Sequence, residues 1–203
     1  MYKRQEYSLH DRLVNVLSAS AEIQYALDEE DTEEIKAIAQ ELSHPEIIAE
    51  RVESLKKALP EKPLENAENM LLYLERLDFI GDILPQQIKD ASRFVKKLSA
   101  PLKAQTSGEY EKLAVYFVYR YFLKAVRDFD LLSKIKAMIV FVFVAEVINL
   151  SREQDAHARF ETVKELCKEI EYSGDNMDRI YDDSYLSDIF SDTSMLALLE
   201  WTL

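Results

Sequence analysis

The chain has 203 residues, 48% apolar and 10% aromatic, which is enough to bury a real core in one domain or two small ones. Only 3 glycines and 5 prolines argue against the many turns of a sheet-rich fold and favour helices. A net charge of −13 and a pI near 4.8 set the chain against nucleic acid and anionic membrane, short of a local basic patch, and leave room for a basic or lysine-bearing protein partner.

The first five residues, MYKRQ, fit no pattern that follows. They match the translation of a sequencing-library transposon end, so residues 1–5 are expected to be a non-native scar and 6–203 one helical domain. Lys3, Arg4, Asp11 and Arg12 interrupt any apolar stretch, so no secretory signal is visible. Ser8 and Asp11 form a capping pair that starts the first helix, with Leu9, Leu13, Val16, Leu17, Ile23 and Leu27 at helical spacing. Thr32 is read as the cap of a second helix carrying Ile35, Ile38, Ala39 and Leu42. Pro45 suits the first turn of a third, which Pro60 and Pro63 end. A fourth is expected over Leu64 to Phe79, closed by Gly81. A fifth follows Pro85 and stops before Pro101. The stretch LKAQTSG reads as a loop, and two subdomains could meet near 101–108.

Glu109 to Asp128 reads as one long aromatic helix. Leu131 to Leu150 is apolar on most sides and should be the central helix. Its greasy core, AMIVFVFVA, is far shorter than the ~20 residues of a membrane span, so no membrane insertion is expected. Phe160 to Tyr172 is amphipathic, with Cys167 on its apolar side and Gly174 as its stop. The aspartate-rich tail, with Asp182, Asp183, Asp188 and Asp192, should form short helices; it lacks the spacing of a calcium loop. The fold class is therefore all-α: an irregular bundle of about 8–10 helices around a buried apolar helix near 131–150.

Chemistry-bearing patterns are few. Lone Gly81, Gly108 and Gly174, with no strand before them, exclude a doubly wound nucleotide fold or a Walker loop. His10, His44 and His157 are far apart, and no metal site is expected. Cys167 is the only cysteine, so no disulfide or cysteine metal site can form within the chain; the thiol is read as a small buried hydrophobe. Tyr116, Arg120 and Lys124 follow at i, i+4 and i+8, with Tyr119 beside them. That stripe reads either as a grip for a carboxylate or as a helix rim with a Lys124–Asp128 surface pair. Glu169, Glu171, Asp175 and Asn176 crowd a helix end, where acids oppose the dipole. They invite a cation, with Arg120 and Lys124 as candidates and Arg120–Glu169 as the pair to test.

These segments carry a resemblance. YFVYRYFLKAVRDFDLLSKIKAMIVF (Tyr116 to Phe141), followed by CKEIEYSGDN (Cys167 to Asn176), resembles the C-terminal half of the flagellin lysine-N-methylase family. EYSLHDRLVNVLSASAEIQYALDEED is similar to an earlier helix of the same family. The resemblance spans most of the chain and is firmest over Tyr116 to Asn176. It implies a bacterial, cytoplasmic protein lysine methyltransferase acting on flagellin with S-adenosylmethionine. It also implies an N-terminal cysteine-rich region holding an iron–sulfur cluster, which this chain lacks, so the chain is expected to be a C-terminal fragment. The alternative is a non-catalytic helical module that docks a substrate or partner. Tyr119, Arg120, Lys124, Asp128, Glu169 and Asn176 match the recurring pattern and are the candidates for a substrate- or cofactor-binding site or a structural polar network. No catalytic residue is assigned.

Overall fold

A computed structural model describes residues 7–57, 62–102 and 107–201. Every regular element among them is helical: ten helices, one four-residue helical turn, two 3₁₀ turns and one π turn. In chain order the helices and the four-residue turn are α1 (Leu9–Asp28), α2 (Thr32–Glu41), α3 (Pro45–Lys57), α4 (Pro63–Leu74), α5 (Ile83–Val95), α6 (Ser107–Tyr121), the turn α7 (Ala125–Asp128), α8 (Leu132–Arg152), α9 (Ala156–Leu166), α10 (Gly174–Leu186) and α11 (Asp192–Leu199). The expected scar, Pro60 and the centre of the LKAQTSG loop lie outside the described residues.

The bundle is organised by α8. Residues Leu132 through Asn149 are all buried, so this helix has no solvent face for most of its 21 residues. A helix apolar all round must be surrounded. Here α1, α5, α6, α9, α10 and α11 pack on it. Phe141 meets Phe117 of α6 with ring centroids 4.4 Å apart, and Phe143 meets Trp201 at 6.1 Å. Each fully buried side chain of this size contributes ~1.5–3 kcal/mol of transfer free energy. Two lysines enter this core, both paired. Lys134 reaches Asp128 (2.9 Å) and Asp130 (3.3 Å), and Lys136 reaches Asp192 and the Ser184 carbonyl, both at 3.3 Å. Aspartates of the tail therefore do more than solvate it. Asp192 ties the start of α11 to Lys136 of α8, and Asp183 of α10 accepts from the Tyr73 hydroxyl of α4 at 2.8 Å.

Local chemistry explains most ends. Ser8 and Asp11 close a reciprocal capping box on α1. Asp31, one residue before the expected Thr32, caps α2 by accepting from the Glu33 and Glu34 amides. Pro63 opens α4 at its first position, where its missing N–H costs nothing, and does not end α3. Two expected stops are corrected. Neither Gly81 nor Gly174 takes a positive φ, so neither supplies a left-handed cap. The fourth helix instead ends at Leu74, and Gly174 is the first residue of α10 behind its cap Ser173.

The long helix expected over 109–128 also breaks. After Tyr121 the chain tightens into a 3₁₀ turn at Phe122–Lys124, runs through α7 and stops at Phe129, whose φ is 55°. Gln24 of α1 holds this corner. Its amide donates to the Phe129 carbonyl (3.0 Å), and its oxygen accepts from the Leu131 and Leu132 amides (2.8 and 3.3 Å). A side chain from another helix thus caps the first amides of α8, beside Asp130, which accepts from the Ser133 amide at 3.3 Å.

Candidate functional site

The two motif segments meet. α6 and the turn after α9 pack so that the aromatic helix faces Cys167–Glu171, where the backbone widens into a π turn closed by the Tyr172 amide on the Cys167 carbonyl (2.9 Å). An ordinary helix would send Glu169 and Glu171 about 200° apart around one axis. Both carboxyl groups are buried, and they face different neighbours.

Glu171 faces α6. Its Oε1 accepts from the Tyr116 hydroxyl and, at 2.7 Å, from the Tyr121 hydroxyl, and lies 3.0 Å from Arg120 Nε. No nitrogen or oxygen donor among the described residues reaches its buried Oε2. Arg120 lies over the rings of Tyr121 and Tyr172 at 5.6 and 5.8 Å, and Lys124 lies over Tyr121 at 4.8 Å. Burial and then the Glu171 carboxyl push the Tyr121 hydroxyl up to about 12 and raise Tyr116 further. The same two causes push the Cys167 thiol up to about 12, so it stays protonated at neutral pH. The carboxylate that the Tyr116–Arg120 stripe grips is this internal one.

Glu169 faces the opposite way, into the α4–α5 connection. Its Oε2 accepts from the Ile80 and Gly81 amides at 2.7 and 3.2 Å, and its Oε1 lies 3.0 Å from Lys168 Nζ. Burial raises its pKa, but the ammonium and the two amides outweigh burial and hold it below the usual carboxylate range. Asn176 completes the clasp. Its amide donates to the carbonyls of Asp78 (2.7 Å) and Glu169 (3.0 Å), and its oxygen accepts from the Asp78 amide (3.0 Å). A Cβ on Gly81 would stand 2.9 Å from Glu169 Oε1, so a larger residue here would push the carboxylate off the two amides it accepts from.

Beside the Glu171 cluster a cleft of about 520 Å³ opens between α6 and α9. Leu113, Val163, Phe160 and Ala156 give it apolar walls, and Tyr116 and Cys167 line it as well. Glu109 and Arg159 line it too, joined through both carboxylate oxygens at 2.6 and 2.8 Å.

The candidates therefore separate. Arg120 belongs to the Glu171 cluster, and Lys124 borders it through Tyr121. Glu169 and Asn176 form the loop clasp, so the Arg120–Glu169 pair is replaced by Arg120–Glu171 and Lys168–Glu169. Asp128 pairs with Lys134 rather than with Lys124. Tyr119 points outward, 75% exposed. Sequence patterns do not single out Tyr121, Tyr172 or the cleft residues of α9. Tyr121 stands one residue after Arg120 and falls on the buried side of α6, where periodicity alone marks it as core. Among the described residues no cluster of His, Cys, Asp and Glu has the make-up of a metal site, and no helix is long and apolar enough to cross a membrane.

Comparison with known proteins identifies a family. The family model described as the FliB lysine N-methylase C-terminal domain covers residues 2–198. No curated protein and no solved structure matches the chain. The chain belongs to the FliB lysine N-methylase family, as its C-terminal domain.

Proposed function

We propose that this C-terminal domain serves an S-adenosylmethionine-dependent lysine N-methyltransferase of the bacterial cytoplasm by receiving the lysine side chain of flagellin. The observation that carries the reading is the α6–α9 cleft: apolar walls that suit a four-carbon stem end at Tyr116, whose hydroxyl is bonded to buried Glu171. A lysine ammonium, with its ordinary pKa near 10.4, must lose a proton before its nitrogen can attack a methyl group. The Tyr116 hydroxyl oxygen lines the cleft as an acceptor, and Glu171, bonded behind it, is the carboxylate to which Tyr116 can pass its own proton. Arg120, held against the same carboxyl group, fixes its orientation as a positioning residue.

The cofactors that the family implies do not fit these residues. The single thiol, Cys167, cannot hold an iron–sulfur cluster. The carboxylate lining the cleft, Glu109, is already paired with Arg159 through both oxygens, so a ribose diol would have to share it with that guanidinium. The methyl donor is therefore assigned to residues outside this cleft. The same two facts favour the second reading, a domain that docks its substrate without performing the transfer.

Calorimetric titration of the chain with purified flagellin tests the proposal. Binding should weaken when flagellin lysines are acetylated and when Phe160→Ser roughens the cleft wall. Equal affinity for acetylated and unmodified flagellin would remove lysine recognition. Saturable binding of S-adenosylmethionine by the chain alone would overturn the assignment of the donor elsewhere.

A further inference from the structure

The outer face of α6 and α7 is unlike the rest of the chain. Tyr119, Leu123, Val126 and Phe129 are 64–78% exposed along one side of this segment. Between them stand exposed cations: Arg120, Lys124 and Arg127, with Lys112 about two turns earlier. The acids of the same stretch are already taken. Glu109 is held by Arg159, Glu111 by Arg12 at 2.8 Å, and Asp128 by Lys134. A chain of net charge −13 thus presents one apolar face studded with positive charge.

Phe129 adds a second observation. It is a bulky residue in the left-handed region, an outlier conformation for such a side chain. The Gln24 amide on its carbonyl holds it there, and its ring remains largely exposed. The corner presents a largely exposed aromatic side chain to solvent from a conformation that is costly for such a residue.

We infer that this face docks an acidic amphipathic helix of a partner protein. Charge complementarity fixes the sign: acids of the partner meet Lys112, Lys124 and Arg127, while its apolar residues cover Tyr119, Leu123 and Val126. From Val115, also exposed one turn before Tyr119, to Val126 the face is roughly 17 Å long, about three turns of a helix. Nucleic acid and anionic membrane also carry negative charge, but each extends well past the face. Each would meet the acidic remainder of the chain within about one Debye length. A short helix touches the basic face alone. Tyr116 links the face to the α6–α9 cleft, so a bound helix would lie along the cleft mouth.

The probe is a fluorescein-labelled synthetic peptide of about four helical turns, with leucines at i, i+3, i+4 and i+7 and glutamates elsewhere. Anisotropy should report saturable binding that weakens with added salt. Lys124→Glu combined with Arg127→Glu should weaken it by about tenfold or more, and so should Leu123→Ser combined with Val126→Ser. All four positions are exposed, and Trp201 emission reports whether each variant keeps its core. The salt titration needs no variant and tests the same point in the unaltered chain. Absence of saturable binding, equal binding of a peptide with lysines in place of the glutamates, or insensitivity to both double variants would overturn the inference. Tighter binding of a single-stranded oligonucleotide, or of phosphatidylcholine vesicles containing phosphatidylglycerol, would overturn it as well. No arm uses flagellin or methylation, so the result is independent of the lysine-cleft reading.

Discussion

Glu146 is wholly buried in α8, and neither of its carboxyl oxygens has a hydrogen-bond partner among the described residues. Burial alone pushes its pKa well above the usual carboxylate value. The folded chain therefore keeps a proton that the unfolded chain releases. The contribution of this group to stability is complete below the ordinary glutamate range. It erodes as pH rises from there toward the folded value, with a limiting slope of about 1.4 kcal/mol per pH unit. Glu146→Gln keeps the shape and cannot ionise. Relative to the wild type it should gain stability between pH 5 and pH 7, by at least about 1 kcal/mol at the higher pH. Urea midpoints of the two proteins at both pH values check this. A difference that does not change with pH would mean that Glu146 is not held protonated. The residue attracts no notice in the sequence, because one acid in a greasy helix looks like its solvent edge.

The π turn between α9 and α10 is the element on which the candidate site depends. It assigns Glu171 to Arg120 and Glu169 to the α4–α5 loop. Double-mutant cycles separate this arrangement from the Arg120–Glu169 pair that spacing suggests. Arg120→Gln with Glu171→Gln should be non-additive in urea stability, whereas Arg120→Gln with Glu169→Gln should be additive. Coupling in the second cycle and not the first would restore the pairing read from sequence. The contrast shows where sequence reasoning stops. Helical existence is legible from periodicity, the start of α1 from Ser8 and Asp11, and the central helix from its unbroken apolar run. The grouping of Tyr116 and Arg120 is legible from their i, i+4 spacing. The widened turn is not, because it adds a backbone step with no marker residue, and the neighbours of each acid come from elements far away in sequence. The break after Tyr121 is hidden for a related reason: the residue that holds it, Gln24, is 105 positions from Phe129.

At the scale of the molecule, α8 decides how the parts cohere. Helices on both sides of residues 101–108 pack on it, α1 and α5 from before and α6, α10 and α11 from after. α11 also packs on α4 and α1, and Trp201 brings its indole N–H to 3.5 Å from the Pro63 carbonyl. The chain's one tryptophan is thus fully buried where the last helix, the central helix and an early helix converge. If these contacts bind the described residues into one unit, local and global unfolding are a single event. Trp201 emission should then be blue-shifted in the native state. Its urea transition should coincide with that of far-UV circular dichroism, in midpoint and in slope. Two subdomains meeting near 101–108 predict otherwise: the helical signal would fall in two steps, with Trp201 following one of them. Phe143→Ala offers a second view, because it removes the ring that Trp201 meets from α8. It should cost roughly 3–5 kcal/mol and move both probes together. A shift in Trp201 emission with the circular dichroism transition left in place would show that the last helix unfolds separately.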